Sequence, residues 1–328
     1  MLLDVFSCPW YDNIVELEAS FAEIASGDSV VPQEVIPLRM LVVACFLCSV
    51  LLTPLTATAR TWHVRQDGSG DCTTIQACCD SAGWYDTVLV APGTYPEHVS
   101  LDKSLVLISD AGPSVTTIVA PSITHPVLRM YYGGTVADGF TVRDALCLIG
   151  WPNVGGVYVG GGTLRNCLVV NNHAMGIDSP GDAGGVQVAG GGAIEGNTIV
   201  SNGNWVTAGG IYCLSNFNGQ IVRNIVAMNN WGFGIYCEAG ANPAFLCNNV
   251  WGNHEGEYGG ACGNPTGVNG NISVDPLFCD RQNGDYRLCA GSPCINAPGC
   301  GQMGAFGVGC GPTAVTPTTW GRIKALYR

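Results

Sequence analysis

Two short motifs recur in step between residues 136 and 262 and set the pattern of hydrophobic and polar positions. The first reads RNCLVVN at 165–171, GNTIVSN at 196–202, RNIVAMN at 223–229 and CNNVWGN at 247–253. Its leading asparagines are spaced by 31, 27 and 24 residues. The second reads GGVYV at 155–159, GGVQV at 184–188, GGIYC at 209–213 and FGIYC at 233–237. Two motifs that share one drifting period indicate a repeat architecture.

Alternation within the second motif predicts short β-strands. Val157 and Val159 have one parity and are expected in the core, whereas Tyr158 has the other and is expected outside. The segment is mostly Gly, Asn, Val and Ile, which excludes helical repeats, and a propeller blade needs a longer unit of about 40 residues. We therefore predict an all-β right-handed parallel β-helix over residues 87–262, with about seven turns at a strand spacing of ~4.8 Å.

Asparagines at one turn of such a solenoid can stack as a ladder of side-chain amides. The predicted ladder consists of the leading asparagines of the first motif, Asn166, Asn197, Asn224 and Asn248. Cys213 and Cys237 hold the same place in successive motifs, so we expect them to be stacked neighbours in the core. They are predicted to be either a bridge or two buried thiols.

The ends of the chain predict an exported protein. The apolar run 41–52 is followed by Ala57-Thr58-Ala59, which is typical of a signal peptide over residues 40–59 and is short for a bilayer span. Residues 1–39 are acidic and are interpreted as an extension outside the working protein, the alternative being a membrane anchor. The remaining predicted segments are a β-helix domain at 60–310, divided into a cap (60–120), coils (121–262) and a C-terminal cap (263–310), and a Pro/Thr linker with a basic, aromatic tail at 311–328.

Composition narrows the class of protein. Seven acidic residues and one arginine lie before residue 60, which leaves 18 acidic and 12 basic residues, a net charge of −6, for the rest. A mildly acidic body argues against a nucleic-acid partner. Fourteen of the 17 cysteines follow the predicted signal, and in an exported chain they predict disulfides rather than metal sites. We expect a secreted or cell-surface monomer with a disulfide-rich C-terminal cap and no membrane span after signal cleavage.

Two segments resemble a known family. The phrases TIQ at 74–76, DTVLVAPGTYPEHV at 86–99 and LVLIS at 105–109 are similar to the opening of secreted pectin-lyase-like right-handed β-helix proteins. GTYPEHV is also similar to the start of pectin methylesterases. Residues 271–306, with DPLF, GDYRL, GSP and GAF, resemble the closing segment of bacterial secreted β-helix proteins, which lies over the last coil. The resemblance implies a fold rather than an activity, since fold alone does not give function.

Aromatic residues provide the main hypothesis about function. The outward row is expected to expose Tyr158, Tyr212 and Tyr236, and Trp205 and Trp231 fall in turns of neighbouring coils. Flat rings along a rod suit the apolar faces of sugars. We predict a non-catalytic face that binds a polysaccharide or another cell-envelope component. The alternatives are a polysaccharide lyase or glycoside hydrolase, and a structural or adhesive spacer.

The catalytic alternative has few candidate residues. By resemblance, polygalacturonases and pectin methylesterases need motifs that this sequence lacks. A lyase needs carboxylates for calcium and an arginine base; the candidates are Asp138, Asp144, Asp178, Asp182 and Glu195, with Arg143, Arg165 or Arg223. Asp178 and Asp182 lie in a Ser-Pro-Gly loop that is typical of solvated turn acids. We therefore expect no cofactor and no metal, with calcium at these two residues as the alternative.

Overall fold

The computed structural model describes residues 59–122, 125–148, 154–175 and 183–311. The predicted signal segment up to residue 58, most of the tail and the calcium candidates Asp178 and Asp182 lie outside the described residues. No helix within the described ranges is long and apolar enough to cross a bilayer.

Three parallel sheets form the body of the molecule. Sheet A contains β1 (Thr61–Val64), β2 (Thr87–Val90), β5 (Val106–Ser109), β8 (Val136–Asp138), β12 (Thr163–Arg165), β16 (Ala193–Glu195), β19 (Gln220–Val222) and β22 (Ala244–Leu246). Sheet B contains β3 (Gly93–Pro96), β6 (Thr116–Val119), β9 (Thr141–Arg143), β13 (Leu168–Val170), β17 (Thr198–Val200), β20 (Ile225–Ala227) and β23 (Asn249–Trp251). Sheet C contains β4 (Val99–Leu101), β7 (Leu128–Met130), β10 (Leu146–Cys147), β11 (Val157–Val159), β14 (His173–Ala174), β15 (Val186–Val188), β18 (Gly203–Cys213), β21 (Trp231–Cys237) and β24 (Tyr258–Gly260).

Successive turns of the chain add one strand to each sheet, so the fold is a parallel β-solenoid of about seven turns. The predicted all-β parallel β-helix is confirmed. Residues 87–120 already contribute strands to all three sheets.

The core is built from columns of like residues in register. In sheet B, Val142, Val169, Ile199 and Val226 are paired from coil to coil and are fully buried. Burial of each such side chain stabilises the fold by about 1.5–3 kcal/mol. The flanking residues of the same three-residue strands face outward, because side chains alternate along a strand.

The corner between sheets A and B repeats one conformation followed by one hydrogen-bonded side chain. The corner residue has a positive φ in five successive coils, at Gly139, Asn166, Gly196, Arg223 and Cys247. The next residue points inward and forms the ladder Asn197, Asn224, Asn248 and Asn271, in which each Nδ2 donates to the Oδ1 of the next residue at 3.0 Å.

Asn166 is therefore not in the ladder, and that prediction was wrong by one residue. Asn166 takes the left-handed corner position, and Cys167 takes the ladder position, where its N–H donates to Asn197 Oδ1 at 2.9 Å. Asparagine tolerates left-handed backbone as well as stacking, so sequence alone did not separate the two positions. The ladder is completed at its other end by Asn271.

A second ladder follows the corner between sheets B and C. It consists of Asn172, Asn202, Asn229 and Asn253, all buried. Their Nδ2 atoms donate to the next Oδ1 at 2.8–3.2 Å and also to backbone carbonyls. Both corners of sheet B are thus fixed by buried amide networks whose members are satisfied.

The first turn of the solenoid is covered by helix α1 (Ile75–Ser81). Thr74 is its N-cap residue, and the Glu97 carboxylate accepts the N–H groups of Ile75 and Gln76 at 2.9 Å. These bonds satisfy donors that a helix start leaves open. Ile75, Cys78 and Cys79 face the core.

The C-terminal cap begins on the last coil and then runs back along sheet B. Ile272 bridges to Asn249 of the last coil. A small sheet follows, made of β25 (Phe278–Asp280), β26 (Asp285–Cys289) and β27 (Val308–Cys310), with a 3-10 helix at Arg281–Asn283. This sheet and the loop 294–306 cover an apolar outer face of sheet B, which is formed by Leu168, Val170, Val200, Ile225 and Ala227.

Four disulfides are formed among the described cysteines, so the expectation for the fourteen after residue 59 is confirmed for eight of them, and the other six are buried thiols outside these bridges. They join Cys72 to Cys78, Cys237 to Cys262, Cys247 to Cys300 and Cys279 to Cys310. Cys213 and Cys237 are register partners in β18 and β21, so the predicted stacking is confirmed. The pairing differs from both predicted alternatives. Cys237 forms a disulfide with Cys262, and Cys213 remains a buried thiol.

Candidate functional site

The predicted tyrosine row exists, but most of it is covered. Tyr158 and Tyr212 lie on the outer side of sheet C with Gln187 between them, and Tyr236 follows Tyr212 in the next coil. The rings of Tyr212 and Tyr236 are stacked with centroids 5.5 Å apart. Tyr158 is only 8% exposed and Tyr212 only 2%. Their predicted exposure was therefore wrong.

The cover comes from chain segments that leave the corner between sheets B and C before each sheet C strand. Val154, Ala183 and Ala208 bridge to one another in parallel and pack on Tyr158 and Tyr212 as a small second core. The Tyr212 hydroxyl donates to Glu238 Oε1 at 2.7 Å. These rings are structural members of a two-layered wall, and the binding hypothesis for Tyr158 and Tyr212 loses its physical basis.

The two predicted tryptophans are at the surface and touch each other. Trp205 is 60% exposed and Trp231 is 37% exposed, and their rings meet edge to face with centroids 5.7 Å apart. The His173 ring lies 5.5 Å from Trp231 on the other side. Gly203 allows this packing, because a Cβ at Gly203 would lie 2.8 Å from both rings. Trp205, Trp231 and His173 together are called the tryptophan edge.

His173 is an uncharged member of this edge. Burial lowers the pKa of its imidazole. Its Nε2 faces the Asn171 side-chain oxygen at 3.4 Å, and its buried Nδ1 has no hydrogen-bond partner among the described residues. A neutral ring in this position extends the apolar surface of Trp231 rather than adding charge.

A groove of about 800 Å³ opens beside the tryptophan edge, between sheet B and the C-terminal cap. The outer face of sheet B is apolar where the cap lies on it and polar in the earlier coils, where Thr117, Thr141 and Arg143 take the outward positions. The hairpin at residues 281–287 forms the edge of the cap and lies over this boundary. The groove is therefore the space that the cap leaves uncovered, and it is called the sheet B groove.

Three arginines line the sheet B groove. Arg143 comes from β9, and Arg281 and Arg287 come from the cap. Arg143 is paired with Asp144 at 2.7 Å, and Arg287 is paired with Asp285 at 2.7 Å; each of these guanidinium groups is about half exposed. Arg281 forms no ion pair with any residue in the described ranges. Hydrogen bonds from Arg287 lower the pKa of Asp285, so this pair stays charged at neutral pH.

The groove and the tryptophan edge share one corner residue. Asn171 lines the groove, donates to Asp144 Oδ1 at 2.7 Å and faces His173 through its side-chain oxygen. Its backbone has φ 56°, a left-handed conformation that turns the chain from sheet B toward the tryptophans. Arginines, hydroxyl groups and exposed indole rings thus lie along one continuous surface.

The other charged candidates form a second cleft at the corner between sheets A and B. Asp138, Arg165 and Glu195 are register partners in successive coils. Arg165 Nε donates to Asp138 at 2.8 Å, and Arg223 pairs with Glu195. The structure thus brings together acids and arginines that the sequence left apart. Because each arginine is already paired with a carboxylate, the cluster ties coils together and offers no free base.

Sequence reasoning missed Arg281 and Arg287, and it assigned Arg143 only as a candidate base. The CDRQNGDYR stretch at 279–287 alternates basic and acidic residues, which signals a charged hairpin. The contact of this hairpin with sheet B is visible only in the fold, because the cap and the sheet are far apart in sequence. Ala305 of the same cap, for example, donates to Thr198 Oγ1 across 107 residues.

No protein-family model and no curated protein matches the chain. Among solved structures, it is similar to pectin methylesterase from carrot (12% identity, TM-score 0.29, covering 68% of this chain and 90% of that one). It is also similar to deglycosylated pectin methylesterase from Aspergillus niger (14%, 0.28, 67% and 91%) and to a pectin methylesterase in complex with a hexasaccharide (10%, 0.31, 70% and 95%). Likenesses this weak carry no argument about this chain, whose fold rests on its own strand topology.

Proposed function

We propose that the chain binds an acidic polysaccharide in the sheet B groove and along the tryptophan edge, without cleaving it there. The single observation that carries this proposal is the junction at Asn171, where an arginine-lined groove meets two exposed indole rings. Each half of the surface recognises a different part of a uronate polymer.

The arginines suit the carboxylates of such a polymer. A guanidinium group presents a planar fork that can donate two parallel hydrogen bonds to one carboxylate. Arg281 is exposed and has no ion pair with any residue that the structure describes, so it can bind a carboxylate without first releasing one of them. Arg143 and Arg287 already hold carboxylates at about half exposure, and they add hydrogen-bond donors facing the same space.

The tryptophan edge suits the sugar rings. Pairs of aromatic rings gain about 0.5–1.5 kcal/mol beyond the area they bury, and we take the same scale for an indole ring stacked on the apolar face of a sugar. Trp205 and Trp231 meet edge to face, so they present two differently inclined surfaces to a chain that leaves the groove. Thr117, Thr141 and Ser201 supply hydroxyl groups between the two regions.

The disulfides support a localisation outside the reducing cytosol. Four bridges, of which Cys247–Cys300 ties the C-terminal cap to a coil, are typical of secreted or cell-surface proteins. A polymer of the cell envelope or of its surroundings is then the natural partner.

Alanine variants test the proposal through binding of polygalacturonate to the immobilised full chain. We expect Trp231→Ala and Arg281→Ala each to weaken binding by about tenfold, which corresponds to roughly 1.4 kcal/mol. The matched controls are Trp84→Ala and Arg65→Ala, which remove an exposed indole and an exposed guanidinium elsewhere. Equal effects of the variants and their controls would overturn the proposal.

A further inference from the structure

A serine and a histidine are hydrogen-bonded at the corner between sheets B and C in the first coils. His98 lies between β3 and β4, and its Nε2 is 2.9 Å from the Ser122 hydroxyl oxygen. The other ring nitrogen, Nδ1, is 2.9 Å from the Pro126 carbonyl oxygen.

These two contacts fix the direction of both hydrogen bonds. A backbone carbonyl can only accept, so Nδ1 carries the proton and donates it to Pro126. Nε2 then offers a lone pair, and the Ser122 hydroxyl donates to it. This is the arrangement that an activated serine needs: a nucleophile, a base within reach of its proton, and a third group that orients the base.

The surroundings of His98 keep it in its basic form. Burial lowers the pKa of the His98 imidazole, the nearby His125 and Arg129 act in the same direction, and the bond to Pro126 opposes them. The His98 and His125 rings are 5.5 Å apart. The neighbouring Glu97 carboxylate is already engaged with the start of helix α1. At neutral pH the imidazole is therefore uncharged and can accept a proton.

We propose that Ser122 and His98 form a nucleophile and general base that hydrolyse carboxylic esters of short acyl groups. Ser122 is exposed, so a bulky alcohol portion of the ester can remain in solvent while its carbonyl carbon reaches the hydroxyl. The reaction needs no cofactor beyond water.

The atoms balance in two steps. Ser122 Oγ attacks the carbonyl carbon while its proton moves to His98 Nε2; the carbon–oxygen bond to the alcohol then breaks, and the alcohol leaves with that proton. Water attacks the resulting acyl-serine, gives a proton to Nε2, and the acid is released as the serine oxygen recovers the proton.

The backbone before Ser122 is hydrogen-bonded to a strand that lines the sheet B groove. The N–H of Ala120, two residues before Ser122, donates to the carbonyl of Arg143, which lines the groove. An acyl ester carried by a bound polysaccharide would thus be presented near Ser122. Only this identification of the acyl carrier rests on the proposed glycan binding.

The experiment measures p-nitrophenolate release from p-nitrophenyl acetate by the full chain. We expect Ser122→Ala and His98→Gln each to lower the rate by about a hundredfold or more. The rate should rise with pH through a midpoint below the usual histidine pKa, since unprotonated His98 is the base. Ser81→Ala and His254→Gln, exposed residues outside both surfaces, should retain the wild-type rate.

Covalent labelling makes the test independent of whether the variants fold. A fluorophosphonate probe should modify the wild-type protein at Ser122, as located by peptide mass spectrometry. Label at another serine, or a wild-type rate no higher than that of Ser122→Ala, would overturn the proposal. Because p-nitrophenyl acetate involves no glycan, ester hydrolysis without polygalacturonate binding would overturn the proposed function alone.

Discussion

The Nδ2 of Asn197 donates to Asn224 Oδ1 at 3.0 Å and to the Leu164 carbonyl at 2.9 Å, so one buried amide joins three successive coils. Asn224 repeats the arrangement one coil later, with bonds to Asn248 and Ile194. The corner of the solenoid is therefore held by side chains as well as by the strand ladder.

Removal of one amide should destabilise the whole stack. Asn224→Ala leaves several buried groups, including the Ile194 carbonyl and the Asn197 N–H, without partners, at about 1–3 kcal/mol each. We expect a loss of at least about 3 kcal/mol in the free energy of unfolding, measured by urea denaturation. The control is Asn166→Gly, which keeps the left-handed corner and should change stability by less than about 1 kcal/mol. Similar losses for both would contradict the ladder assignment.

Variants of Tyr212 test whether its ring is a structural part of the two-layered wall of sheet C. Tyr212→Ala should destabilise the fold by about 3–5 kcal/mol, as large-to-small changes of buried aromatics do. Tyr212→Phe keeps the ring and removes the hydroxyl that donates to Glu238, at about 1 kcal/mol, and should bind polygalacturonate like the wild type. Thermal melting and binding of the two variants check this. A fully stable alanine variant would show that the ring is not structural.

The cysteine assignment predicts which thiols react. Burial raises the pKa of Cys167 and Cys79 to about 12, and it also raises that of Cys213, so none should be alkylated by iodoacetamide in the native protein up to pH 9. After unfolding without reductant, all three should be labelled. Peptide mapping should find Cys237 linked to Cys262. A Cys213–Cys237 bridge would contradict the structure.

The environment of Asp86 predicts that the fold loses part of its stability in acid. Its carboxylate accepts N–H bonds from Arg60, Trp62 and Gly83, and these bonds, led by that from the Arg60 backbone, lower its pKa. A depressed carboxyl pKa stabilises the fold above the unfolded pKa of about 4, and that stabilisation is lost as pH falls toward the folded value. Asp86→Asn should therefore be less stable than the wild type at pH 7, with the gap narrowing at pH 3. Urea midpoints at the two pH values check this, and a constant gap would contradict it.

The repeat was predictable from sequence because parallel register places like residues above one another. The alternation of Val157 and Val159 with Tyr158 gave the strand faces correctly. The offset at Asn166 was not visible, since asparagine suits both the left-handed corner and the ladder. The burial of Tyr212 depends on Ala208 and Ala183, which neighbouring coils bring together. The alternation within one strand shows which side chains point outward, but not which of them another segment covers.

The sheet B groove was beyond sequence reasoning for a different reason. Its walls are a polar stretch of sheet B and a hairpin from the C-terminal cap, which meet only because the cap folds back over an apolar patch on the intervening coils. The exposed tryptophans were identified from their predicted place in turns, although the structure places Trp205 within β18 and Trp231 at the start of β21. Their relation to Arg281 and Arg287 required the docked cap.

Calorimetric titration of the full chain with oligogalacturonate, and with the same oligosaccharide fully methyl-esterified, tests the proposed binding most directly. The arginine groove predicts that the charged form binds at least about tenfold more tightly, because only a carboxylate can receive charge-assisted hydrogen bonds from Arg281. It also predicts that raising the salt concentration from about 0.05 M to about 0.5 M weakens binding of the charged form and leaves binding of the esterified form unchanged. Equal affinity for the two forms, or no binding of either, would contradict the account.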